Sequence, residues 1–410
     1  FGAVTKVVEI FKDGVLTPPS MSKLELGVPA MTATIDYHKK VPITAFVGIA
    51  FEIGRKALKY MLEELNEMKV ERYCGKRHER GREYSRNGVR ERTIVTSLGE
   101  VALNLTRIRD KGIPLYDVVD FESKRRYQSD LKGISVDSAV KMSYRDSRDE
   151  VNRFTQAPSH QSIWRYVQEE ADDLKESEVS YDTYFSIDDT KLHSRGRKLK
   201  LTLVEGDNIE ARVNKEHENL KGDLNLNGLG VGDAAKELRC LDDRQIDLIH
   251  VFTEVNYKLW EHGVDLNTRK WYVNEVRKVL LWLKNSLEMP DLKERIDKAS
   301  KKIRSFIKEM DRQGYWKAAN FFTKYSRNIL LFAYKKLQGI KIPWHNNHME
   351  RRMGEISKRM KNKWMSWSVK GAENMASLVT KRACQRKTYE KFISKIMKNE
   401  DIKWEVNLHL

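Results

Sequence analysis

The spacing of apolar and polar positions changes period several times along the chain, and each change marks an element. Over residues 43–68 the positions Phe46, Ile49, Ile53, Ala57, Leu58, Met61, Leu62 and Leu65 recur at helical spacing and predict one amphipathic helix. Asn87-Gly88 then predicts a tight hairpin turn, and the runs 93–96 and 101–105, joined through Leu98-Gly99, predict two strands. Residues 135–154 read as a single helix, and Ser159 as the N-cap of the next, with Ile163, Tyr166 and Val167 on its apolar face. From 184 to about 255 the period shortens to strands over 184–188, 198–205, 228–233 and 246–252, with a helix over 234–241. Strand and helix in alternation imply a mixed sheet with helices on its faces. Residues 259–338 are helical almost throughout, broken at Met289-Pro290 and Gln313-Gly314, and predict a helical insert with its own small core. Residues 349–398 are helical and basic, interrupted around Trp364, Trp367 and Gly371, whereas residues 1–40, punctuated by Gly14, Pro18-Pro19 and Pro29, predict an irregular arm.

A chain of 410 residues exceeds one ordinary core, so the pattern describes a multidomain protein of the α+β or α/β class. Its 76 Lys and Arg against 59 Asp and Glu give a net charge of +17, and the cations cluster at Lys76-Arg77, Arg80 to Arg82, Lys358-Arg359, Lys361 to Lys363 and Lys381-Arg382. Clustering favours a nucleic-acid partner, through phosphate neutralisation and counterion release, over a merely solvated basic surface. Three cysteines exclude a disulfide framework or an all-thiol zinc site, and Cys74 with His78 has no second ligand pair. The longest apolar stretch, 41–54, is broken by Pro42, Thr44 and Glu52 and falls short of a membrane span. The expected setting is a reducing cytoplasm with access to DNA. Within 113–180, a helix, a turn and a capped helix presenting Ser159, His160, Gln161 and Arg165 form the pattern of a helix-turn-helix DNA reader. Two packing helices of an ordinary bundle fit the same pattern.

Against this basic background three carboxylates stand out. Asp188 ends one strand-like run, Asp233 ends another, and Glu350 opens a basic helix. Hard divalent cations take carboxylate oxygens, so two strand-end aspartates and a helical glutamate suggest metal-assisted chemistry on nucleic acid, with Mg²⁺ or Mn²⁺ as cofactor. Asp189 competes with Asp188, although Asp188 shares the less apolar strand face with Ser186 and Tyr184. Asp233 also reads as a helix N-cap, and Glu355 and Glu373 are rivals of Glu350. Setting aside 259–342 brings the Glu350 helix directly after the sheet, where it can pack back against the strand ends.

Five motifs in order resemble those of the Mutator-type DDE transposases of bacterial and archaeal insertion sequences. They are the segment from Arg86-Asn87-Gly88 through Gly99-Glu100 to Arg107-Ile108-Arg109, then Asp188-Asp189-Thr190, Gly232-Asp233-Ala234-Ala235, Asp247-Leu248-Ile249-His250, and Asn347-His348-Met349-Glu350. Two departures mark the chain as divergent: Asp189 stands where the family has Gly, and Ala234 where it has Gly. The resemblance implies an RNase H-like core interrupted by an all-helical insertion, preceded by a helical DNA-binding region. The resulting organisation is an arm and helix over 1–82, a hairpin over 83–112, a helix-turn-helix-like region over 113–180, the core over 181–258 and 343–410, and the insertion over 259–342. It implies Asp188, Asp233 and Glu350 as catalytic metal ligands, Asp247 and His250 as auxiliary residues, and Arg351, Arg352, Lys358 and Arg359 as holders of flanking phosphates. It further implies a nucleoid-associated prokaryotic enzyme, acting as a homodimer or larger assembly, that binds terminal inverted repeats, cleaves the element end and joins it to target DNA. A domesticated DNA-binding protein without chemistry, or a structure-specific nuclease on the same core, are the alternatives.

Overall fold

A computed structural model describes residues 43–75, 84–110, 113–115, 126–175, 178–194, 197–215, 217–233, 243–361 and 365–398. The expected N-terminal arm, the cations of 76–82, the helix over 234–241 and Trp364 lie outside these residues. The protein mixes α and β structure and divides into two compact units, one running to Tyr166 and resuming at Ile393, the other spanning Val167–Phe392.

The first unit opens with helix α1 (Ile43–Gly75), 33 residues long and thus a full turn and more beyond the predicted end. Its Leu58, Leu62 and Leu65 pack on Ile94, Val101, Leu103 and Leu105 of strands β1 (Tyr84–Thr96) and β2 (Gly99–Asp110), which form an antiparallel sheet with the short β3 (Ile113–Leu115). The hairpin turn is Ser97-Leu98, not Asn87-Gly88. Gly88, at φ +77°, sits inside β1 where the register shifts between Arg86 and Val89, so the dipeptide makes a β-bulge. The single helix expected over 135–154 is two, α2 (Ser129–Lys141) and α3 (Tyr144–Val151). Met142 is extended and Ser143 caps α3 by accepting a hydrogen bond from the Asp146 amide, which restarts the helix after a break. Helix α4 (His160–Glu170) follows.

The second unit is built on strands β4 (Tyr184–Ser194), β5 (Arg197–Glu205), β6 (Ile209–Val213), β7 (Leu229–Gly232) and β8 (Arg244–Ile246), in the order β6-β5-β4-β7-β8. The first three run antiparallel, while β7 is parallel to both β4 and β8. Helix α5 (His217–Asp223) precedes β7, and Leu220 with Leu224 and Leu226 covers Phe185, Ile187 and Val204 of the sheet. The strand predicted over 246–252 ends at Ile246. Asp247 caps helix α6 (Leu248–Trp260), whose buried Leu248, Val251, Phe252, Val255 and Leu259 recur at helical rather than strand spacing.

Helices α7 (Leu266–Asn285), α8 (Leu292–Arg312), α9 (Trp316–Ile329) and α10 (Leu331–Leu337) complete the expected helical segment. Their core is not separate: Val276, Leu280, Ile303 and Phe322 belong to one apolar cluster with Leu229, Val231 and Ile246 of the sheet. Polar contacts seal the β8 edge against the same helices. Gln245 donates to the Ile329 carbonyl and accepts from the Phe332 amide, and Lys335 pairs with Asp243. An edge strand closed in this way offers no free ladder to another chain. Helices α11 (Asn347–Met360), α12 (Val369–Cys384) and α13 (Arg386–Ile396) end the described chain.

Candidate functional site

Asp188 lies midway along β4, two residues past Ser186, which pairs with Val231 of the parallel β7. Asp233 lies two residues past Val231 and just beyond the end of β7, so the parallel pairing brings its stretch of chain alongside that of Asp188. This is the carboxyl end of β7, where open sheets with parallel strands characteristically place their sites. Asp189 faces the other way. It accepts a hydrogen bond from Thr202 and pairs with Lys200 at 3.2 Å, both on β5.

Glu350 occupies the first turn of α11, and its Oε1 lies 3.9 Å from Nε2 of His250 on α6. Asp188 feels the charges of both Asp233 and His250. Burial first, then the negative charge of Asp233, push its carboxyl up to about 6, against the lowering effects of the Asp189 amide and of His250. Asp188, Asp233, His250 and Glu350 therefore share one neighbourhood.

Asp247 holds that neighbourhood together. It is wholly buried, its amide donates to the Gly232 carbonyl beside Asp233, and its carboxylate accepts from Ile249 N at 2.7 Å and from Asn346 N at 2.7 Å. Asn346 in turn donates from Nδ2 to the carbonyl of Ile187, beside Asp188, at 3.2 Å. One carboxylate and one amide thus tie the helices carrying His250 and Glu350 to the strands carrying Asp188 and Asp233. Asp247→Ala leaves two buried amides without their acceptor and is expected to lower stability by about 2–3 kcal/mol, with Asp247→Asn costing less; urea denaturation measures both.

The remaining expected residues divide. Ser159 does cap α4, accepting from the Ser162 amide at 3.1 Å, and Gln161 and Arg165 are exposed while His160 is half-buried. Arg351 is exposed, and Lys358 pairs with Glu355 on the surface at 2.7 Å. Arg352 pairs with Glu205 at 3.3 Å, an internal partner the sequence did not reveal. Arg359 is only 5 % exposed and lies over the Trp367 ring at 5.6 Å, so it braces α11 rather than facing a phosphate. Trp367 itself is core, donating from its indole to the Met360 carbonyl. Asn346 and Glu205 were missed. The doubled Asn346-Asn347 at a helix start was the available signal for the first, and nothing local marked the second.

Among the described residues no three His, Cys, Asp or Glu side chains are already drawn to cation-ligand distance. The donor chemistry still fits a hard divalent cation, since the neighbouring groups are carboxylates, Asp188 is raised by burial and then by the charge of Asp233, and Glu350 projects on a half-exposed side chain from the first turn of its helix. Among those residues no helix is long and apolar enough to cross a membrane.

No family model matches the chain. It is 38% identical over 100 residues to an uncharacterized protein of Archaeoglobus fulgidus, a match that takes in 24% of this chain and 99% of the relative. At that identity, over almost the whole of the relative, the chain belongs to the same family as this Archaeoglobus fulgidus protein.

Proposed function

We propose that the protein is a DNA transposase of the Mutator-type DDE class, cutting at the ends of an insertion sequence and joining them to target DNA. The observation that carries this reading is that His250 links Glu350, 3.9 Å away, to Asp188, which feels the charges of both His250 and Asp233, so that acids from three separate stretches of chain share one neighbourhood. A mixed sheet in which an antiparallel trio adjoins a parallel pair, with only helices between Asp247 and Glu350, supports the RNase H-like core that the motifs imply. Mg²⁺ or Mn²⁺ held by Asp188, Asp233 and Glu350 would activate the attacking oxygen and stabilise the leaving one.

The chain's own residues supply position and charge. Asp247 and Asn346 fix the spacing of the three acids, His250 stands beside Glu350 to orient it or a phosphate, and exposed Arg351 offers a guanidinium to the backbone of the bound strand. In a chain of charge +17 a group of neighbouring acids repels phosphate, which suits a metal-bridged substrate better than a simple binding face.

The test is incubation of the protein with Mg²⁺ and labelled duplex carrying the inverted repeats that flank its gene. Strand transfer is the expected result. Cleavage without joining assigns a nuclease, and binding without either assigns a non-catalytic DNA-binding protein. Asp247→Ala should slow cleavage by roughly 10- to 100-fold with binding intact, as loss of an outer support does at other metal sites.

A further inference from the structure

Beyond Asp188 the β4–β5 hairpin continues after its neighbours stop. The last β7 pairing is at Ser186 and the last β6 pairing is at Leu201, so residues 191–194 and 197–200 form a two-stranded ribbon. Leu192 and Leu199 are buried on one side of it, while Lys191, His193 and Lys198 are exposed on the other. Cross-strand register sets Lys191 opposite Lys200 and His193 opposite Lys198. Like charges placed directly opposite destabilise a ribbon, and the segment 191–200 contains six basic residues and no acid. Asp189 reaches this face through Lys200, but no carboxylate among the described residues pairs with Lys191 or Lys198.

We infer that this ribbon is a backbone-binding arm for duplex DNA, a role that rests on the proposed function. The seven residues of strand from Asp188 to Ser194 extend about 20 Å, which spans roughly six base pairs of duplex. The ribbon's exposed cations continue the face of Asp189, opposite to Asp188, so the arm holds backbone phosphates of duplex outside the cut site. Leu192 and Leu199 are buried and the His193 carbonyl accepts from the Trp367 amide, so the ribbon offers a cationic face to backbone phosphates and does not enter a groove. The ribbon exposes cations and not apolar or aromatic groups among its described residues, which argues against a lipid surface.

The experiment compares wild type, Lys191→Gln/Lys198→Gln and Lys191→Arg/Lys198→Arg in binding a labelled terminal-repeat duplex from 50 to 200 mM salt, with an RNA duplex of the same sequence as a second probe. Two lost phosphate contacts lower the salt slope by about 2, so wild type loses about 12-fold more affinity than the Gln variant across this range. The Arg variant keeps the wild-type slope, and Asp233→Asn also keeps it. An unchanged slope in the Gln variant, with cleavage by wild type intact, overturns the arm and leaves the transposase reading standing. An equal loss on RNA overturns the assignment to duplex DNA. Failure of wild type to bind the duplex at all overturns both readings.

Discussion

Asp188→Asn is expected to make the metal-free protein more stable at pH 7.5 and to abolish the proposed DNA cleavage. The carboxyl of Asp188 is pushed up to about 6, chiefly by burial and next by Asp233. Because its folded value lies above its unfolded one, the folded chain holds a proton that the unfolded chain has lost between about pH 4 and pH 6, and stability falls as pH rises through that window. Above it the ionised group imposes a constant penalty of about 2 kcal/mol, allowing for its partial contact with solvent. The amide removes the penalty and retains an oxygen for the Asp189 N–H, which now bonds Asp188 Oδ1 at 2.8 Å. Melting temperature should rise at pH 7.5 and hardly change at pH 4. DNA cleavage should fall by roughly 10³-fold or more, with terminal-repeat binding within a few fold. A variant that melts lower than wild type at pH 7.5, or that still cuts, contradicts this account of the site.

Lys381→Ala is expected to destabilise the second unit by about 3 kcal/mol or more. Lys381 on α12 and Glu210 on β6 are both wholly buried and meet at 3.0 Å, and Arg212 also reaches Glu210 at 2.7 Å. Glu373 of the same helix accepts the Val213 amide at 3.0 Å, so the edge of the sheet is docked on α12 largely by charge. Removing the ammonium leaves the buried carboxylate with Arg212 in place of two cations, and opens space at a fully buried position, a greater loss than the pair's net contribution. Replacing both charges, as Glu210→Gln/Lys381→Met, should recover more than half of the loss in urea denaturation. A single substitution costing under about 1 kcal/mol would show that water reaches the pair.

What the sequence made legible was local. Runs such as Tyr184 to Asp188 and Leu229 to Asp233 carry strand pattern, although β4 continues past Asp188 to Ser194, and the helical stretch after Leu259 announces itself through period and breakers. Long-range pairing is not encoded in that pattern. Asn87-Gly88 has the chemistry of a turn, yet the strand continues through it because the residues of β1 on both sides of it find partners on β2. Leu248 to Phe252 reads as a buried strand until Asp247 is seen to cap it. Arg359 and Lys381 look like surface cations in a basic stretch. Only the arrangement of α11 and α12 against Trp367 and Glu210 turns them into interior groups. Asn346 escaped notice for the same reason, since its importance lies in reaching Ile187 across the fold.

The most direct test of the central claim is calorimetric titration of Mn²⁺ into the DNA-free protein at pH 7.5, comparing wild type with Asp188→Asn, Asp233→Asn, Glu350→Gln and the neighbouring Glu355→Gln. Shared coordination predicts binding by wild type and by Glu355→Gln, and a loss of at least tenfold in affinity in each of the other three. Undiminished Mn²⁺ binding by Asp233→Asn or Glu350→Gln would mean that the carboxylates do not act on a common cation.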